Sequence, residues 1–77
     1  MPNEHARGRV SAYADLPVSA WRQLIDEWIF SARDREILKR RLLDGIVFDA
    51  LADEFDMSVR QVKNIVAKGM EVLIRHV

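Results

Sequence analysis

A neutral chain of 77 residues has room for one domain, and because such a chain hides only about 60% of its unfolded surface, its core is thin. There is no cysteine, and the histidines His5 and His76 stand near opposite ends, so neither a disulfide framework, a metal site nor any other cofactor is expected. The charged N-terminus lacks the apolar run of a signal peptide and no stretch nears the roughly 20 apolar residues that span a bilayer, which predicts a cytoplasmic protein with no membrane partner.

Residues 1–15 show no apolar periodicity and contain Pro2 and Gly8, predicting a flexible N-terminal arm ahead of a domain over residues 16–77. Pro17 suits the first turn of a helix, and Val18, Trp21, Leu24, Ile25 and Trp28 follow it at spacings of three and four. That stripe predicts a helix over 17–30 with both tryptophans packed in the core; the competing use of the tryptophans is an exposed patch for a partner. Ser31 has Asp34 three residues on, a capping-box pattern that opens a second helix over 32–44. This helix buries Ile37, Leu38 and Leu42, and Gly45 ends it. Phe48, Leu51, Ala52 and Phe55 mark a short third helix over 48–55, whose Asp49, Asp53 and Glu54 form a solvated acidic face. Ser58 and Gln61 make a Ser-x-x-Gln box at the head of a fourth helix over 58–75, with Val62, Ile65, Val66, Gly69, Met70 and Leu73 facing inward.

No strand signal and no repeat interrupts this pattern, so the predicted fold class is all-α: a small four-helix domain with a C-terminal helix-turn-helix. Leu38, Leu51, Phe55, Val62 and Ile65 are expected to lie deepest. Val72, Ile74 and Val77 carry more apolar surface than a thin core needs, so they are expected on the first helix or on a second copy, as in a homodimer.

Only about two residues separate the third and fourth helices, and such a turn sets helices at roughly 90–120°. A helix-turn-helix needs a small residue for close approach, a residue that tolerates the left-handed backbone, and a cap followed by a branched apolar residue. Ala52, Asp56, Ser58 and Val62 stand at those places. The positions left facing outward early in the fourth helix are Val59, Arg60, Gln61, Lys63 and Asn64. Arg and Lys match the O6/N7 edge of guanine, and Gln and Asn match the N6/N7 edge of adenine. Lys68 falls one turn later, suited to phosphate. Charge is distributed to match: residues 58–77 hold four basic side chains against one acidic, a net of +3, and residues 31–43 hold five against two, again +3. The intervening residues 44–57 hold five acids and no base, a net of −5. Arg33, Arg40 and Arg41 are further candidate phosphate contacts, with solvated surface as the alternative; Arg7 and Arg9 are weaker candidates for a minor-groove arm.

Three segments resemble region 4 of sigma-70-type RNA polymerase sigma factors: Ser31 to Leu42, Phe48 to Ser58 and Val62 to Met70. The similarity includes the Phe55–Ser58 turn and the Ile-x-Ala-Lys step at Ile65–Lys68, and covers roughly residues 16–76. The resemblance implies a domain whose last helix reads the −35 promoter element in double-stranded DNA through Val59, Arg60, Gln61, Lys63 and Asn64. It also implies RNA polymerase core, or a sigma factor, as a candidate protein partner. The chain departs from the family in having no counterpart of the promoter-melting region 2, in Val59 where many members have Arg, and in Val47 where a Ser or Thr often caps. Output domains of the LuxR type share the motif but add a dimerisation helix after the reader. The function expected is therefore a DNA-binding transcription regulator. The alternative is a protein-interaction module on the same fold. An enzyme is not expected, because the carboxylates Asp49, Asp53, Glu54 and Asp56 have no His or Cys partner nearby in sequence.

Overall fold

A computed structural model describes residues 16–76, so the N-terminal arm, with His5, Arg7 and Arg9, and the terminal Val77 lie outside the described residues. The described residues form four helices and no strand: α1 (Val18–Trp28), α2 (Ala32–Leu42), α3 (Phe48–Phe55) and α4 (Val59–Arg75). None is long and apolar enough to cross a membrane. The all-α, four-helix expectation holds, with α1 and α2 each two residues shorter at their C-terminal ends than predicted.

Local chemistry accounts for most of the boundaries. Pro17 supplies the extended N-cap of α1 (φ −67°, ψ 159°). Ser31 Oγ accepts the Asp34 N–H at 3.3 Å to open α2. The Ser31 pattern is only half a capping box, because the Asp34 carboxylate turns to Arg33 at 3.1 Å instead. Val47 offers no side-chain cap to α3, as its apolar side chain dictates. At Ser58 the reciprocal box is complete: Ser58 Oγ accepts the Gln61 N–H at 3.1 Å, and Gln61 Oε1 accepts the Ser58 N–H at 2.9 Å. Beyond α2 the chain reverses at Gly45 with φ +69°, and the Ile46 N–H returns to the Arg40 carbonyl at 3.1 Å.

α4 is the element on which the others assemble, with its widest interfaces against α2 and α3. Ile25, Ile37, Leu38, Leu51, Val62 and Leu73 are fully buried, joined by Ile29, Ala52 and Val66. Leu38, Leu51 and Val62 are thus as deep as predicted, whereas Phe55 and Ile65 are only partly buried and pack on the edge of the core. Phe55 closes the shortest helix at the chain reversal, and Ile65 lies towards a surface groove, so neither is enclosed on all sides.

The first helix also departs from its stripe. Ile29, in extended conformation at φ −105° and ψ 117°, turns inward and is buried, while Val18 and Trp28 are 51% and 41% exposed. Trp21 packs against the core as expected. Trp28 is instead covered by His76, whose ring stacks on it with centroids 3.7 Å apart and planes 1° from parallel. His76 thus joins the end of α4 to α1. Val72 is half-buried and Ile74 is exposed.

A salt bridge at 2.7 Å from Lys39 Nζ to Asp26 ties α2 to α1. The hydrogen bond from Lys39, with the charges of Lys39, Arg35 and Arg22, holds the Asp26 carboxyl below its ordinary value. Its contribution is present above the unfolded carboxylate's pKa and is lost as pH falls through the lower folded value; solvent around Asp26 keeps it small.

Gly69 lies where α4 meets α2. A Cβ there would stand 2.6 and 2.7 Å from the two methyls of Leu38 and 3.1 Å from its Cγ. Replacing Gly by Ala inside a helix gains about 1 kcal/mol of propensity. Overpacking a full core costs about 1–3 kcal/mol. Leu38 is fully buried, so its methyls must shift within the packed α2–α4 contact to admit a Cβ. Gly69→Ala is therefore expected to destabilise the fold by about 1 kcal/mol, read as a lower urea midpoint; a raised midpoint would show that α2 and α4 are not in close contact here.

Candidate nucleic-acid interface

The outward face of α4 is positioned by the turn before it. Asp56 adopts the left-handed conformation, φ 55° and ψ 50°, as the sequence predicts. The Met57 N–H reaches the Ala52 carbonyl at 2.9 Å and the Asp56 N–H reaches the Asp53 carbonyl at 3.4 Å. That pair of bonds is a Schellman motif, which satisfies the last carbonyls of α3 and turns the chain sharply. Ser58, extended at φ −75° and ψ 156°, starts α4 at once. The connection of Asp56, Met57 and Ser58 is therefore determined at every residue: a left-handed cap, a half-buried Met57 and a hydroxyl cap.

Arg60, Gln61, Lys63, Asn64 and Lys68 are exposed. Val59, predicted to face outward, is instead half-buried against the core. Its place in the first turn, three residues before the fully buried Val62, puts it beside the apolar face. Gln61 is exposed, but its side-chain oxygen is committed to the Ser58 N–H. A bidentate contact with adenine needs that oxygen, so Gln61 reads a base only by giving up the cap. Arg60, Asn64 and Lys68 make no hydrogen bond or ion pair among the described residues. Lys63 Nζ lies 5.5 Å from the centroid of the Phe48 ring, a cation–π contact that draws on the ammonium charge without consuming its hydrogen-bond donors. Between Val59 and Met70 there is no acidic residue, so Arg60, Lys63 and Lys68 act without an opposing charge on their own helix until Glu71.

The arginines of α2 are engaged differently. Arg33 donates to Asp34 at 3.1 Å. Arg40 donates to Glu54 at 2.8 Å, linking α2 to the acidic α3. Arg41 donates to the Ile46 carbonyl at 3.1 Å and lies 4.1 Å over the Phe48 ring. Arg40 and Arg41 thus hold the α2–α3 corner together. Surface ion pairs are worth about 0–1 kcal/mol, so a phosphate can displace Asp34 from Arg33 at little cost; Arg41, gripping a carbonyl and a ring together, is the hardest to release. Sequence spacing did not reveal these engagements, since the Arg40–Glu54 pair spans 14 residues.

A shallow groove of about 460 Å³ runs between the α1–α2 connection and α4. Asn64 and Lys68 border it on one side and Phe30 and Arg33 on the other. Arg33 is thereby the one α2 arginine of the three candidates that shares a surface feature with the α4 readers. Phe30, which no sequence motif marks, is almost wholly exposed.

The turn gives a direct test of how α4 is oriented. Asp56→Gly is expected to be neutral or mildly stabilising, because Gly enters the left-handed region without strain. Asp56→Val is expected to destabilise by about 1 kcal/mol or more in urea unfolding. Equal stability of the two variants would mean that the left-handed turn is absent in solution.

No family model matches the chain, and no curated protein or solved structure matches it significantly.

Proposed function

We propose that this chain is a DNA-binding transcription regulator of the kind the sigma region 4 resemblance implies, with α3 and α4 forming a helix-turn-helix and α4 lying in the major groove. The observation that carries the reading is the state of the polar side chains on α4: Arg60, Asn64 and Lys68 are exposed and unpaired among the described residues, while the α2 arginines are engaged. Surface cations that only solubilise a helix have no reason to be segregated from acids over three turns. Cations that meet phosphate do. A short, fully capped turn supports the same reading, because base readout needs a helix held in one orientation.

On this reading Arg60, Lys63 and Asn64 reach base edges and Lys68 meets the backbone, with Arg33 as an additional phosphate contact. Gln61 holds the helix start, and Val59 supports it from beneath. RNA polymerase core or a sigma factor is the protein partner that the resemblance suggests. The second reading, an interaction module that does not bind DNA, is favoured by the aromatic-rimmed groove beside Lys68.

The test begins with a protein-binding microarray at low and moderate salt, followed by titration of the best site. Asn64→Ala is expected to lower discrimination at one position of that site by about 1–3 kcal/mol. Lys68→Ala is expected to weaken all sequences alike and to reduce the salt slope by about one. A base contact carries sequence information and a phosphate contact does not, so equal effects from both variants would reduce α4 to a charged surface. Absence of binding by the unsubstituted chain at about 50 mM salt, where phosphate attraction is strong, would leave the interaction module as the better reading.

A further inference from the structure

Phe30 is 98% exposed, the largest value among the exposed large apolar side chains of the described residues. A solvated aromatic ring on a loose loop is unremarkable, but the chain at Phe30 is pinned. The Arg35 guanidinium donates to the carbonyls of both Ile29, at 2.8 Å, and Phe30, at 3.0 Å. Ile29 on one side is buried, and Ser31 on the other caps α2. The ring is therefore presented outward from a fixed base, which lowers the entropy lost when something covers it.

Beside this knob lies the groove of about 460 Å³, with Leu38 and Gly69 among its lining and Trp28, Ile65 and Val72 adding apolar wall. Phe30 itself forms part of the rim. A rigid apolar knob next to an apolar hollow on one surface is what an isologous two-fold contact requires, since a half-turn brings each copy's knob to the other's hollow. The rim carries both signs of charge: Asp34 pairs with Arg33 through one carboxylate oxygen, and Lys68 makes no ion pair among the described residues. Lys68 of one copy can therefore meet the Asp34 carboxylate of the other. The chain has zero net charge, so two copies approach without long-range repulsion.

We infer that this groove is a homodimer interface, in which Phe30 of each copy enters the groove of the other. Asn64 and Lys68 border the same groove, so the dimer covers part of the face assigned to DNA. On the DNA reading above, and only on it, self-association and DNA binding exclude each other.

Sedimentation equilibrium of the full chain, from low micromolar to millimolar concentration, tests the interface without DNA. A reversible monomer–dimer equilibrium is expected, and Phe30→Ala should weaken it by about tenfold or more, as loss of a central aromatic anchor does. The helical circular dichroism of the monomer should be unchanged, because the ring is solvent-exposed. Tryptophan emission should shift to the blue as the unsubstituted chain dimerises, since Trp28 lines the groove. A monomer at every concentration, or a dimer that Phe30→Ala leaves intact, would overturn the interface. Titration of mixed-sequence duplex DNA then separates the two ideas. Tighter binding per chain by Phe30→Ala than by the unsubstituted protein, at concentrations where the latter dimerises, is expected. Equal binding would overturn the competition, and binding by neither would overturn the DNA reading while the sedimentation result still decided the interface.

Discussion

How closely α4 can approach α2 governs the rest of the structure. A Cβ at position 69 would stand 2.6 and 2.7 Å from the Leu38 methyls, so glycine lets the two helices meet there without displacing Leu38. α4 then presents its first turns to α3 and its end to α1, where His76 covers Trp28. In a thin core this matters more than in a large one. The fully buried side chains come from all four helices, so a shift of α4 would uncover residues on every element at once.

The close approach also divides the polar surface. Because α2 lies near both α3 and α4, its arginines find partners: Arg40 finds Glu54, and Arg41 finds the Ile46 carbonyl and the Phe48 ring. The acidic face of α3 is in this way partly neutralised from within. On the outward face of α4, Arg60, Asn64 and Lys68 find no such partner among the described residues. A neutral chain thus carries a locally basic helix, and it is the local field rather than the total charge that a phosphate backbone meets. The same arrangement places an apolar groove directly beside that face, so one surface serves the proposed DNA contact and the proposed self-association.

Features set by neighbours in the chain were legible in the sequence. The Ser58–Gln61 box, the left-handed Asp56, the glycine reversal after α2 and the bare Val47 cap all depend on atoms within a few residues, so spacing and side-chain chemistry suffice to read them. Periodicity likewise marked Leu38, Leu51, Val62 and Leu73 as inward. Of the candidate site, Arg60, Lys63, Asn64 and Lys68 were readable as the positions left over once the buried stripe was removed. Gln61 shows the limit of that subtraction. The sequence marked it both as a cap and as a reader, and the hydrogen bond to Ser58 decides for the cap.

The sequence by itself therefore determined four helices, their starts, and the turn between the last two, because each follows from local hydrogen bonding and from the 3.6-residue period. Only the tertiary structure decided which partly apolar residues would be enclosed and which cations would be engaged. Ile29 went inward and Trp28 and Phe30 outward, although all three are consecutive apolar residues where α1 ends. Burial at a helix end depends on where the other helices stand, and those positions are set by contacts between residues far apart in the chain. Leu38 against Gly69, Arg40 against Glu54 and Trp28 against His76 are three such contacts, and sequence spacing carries no information about any of them.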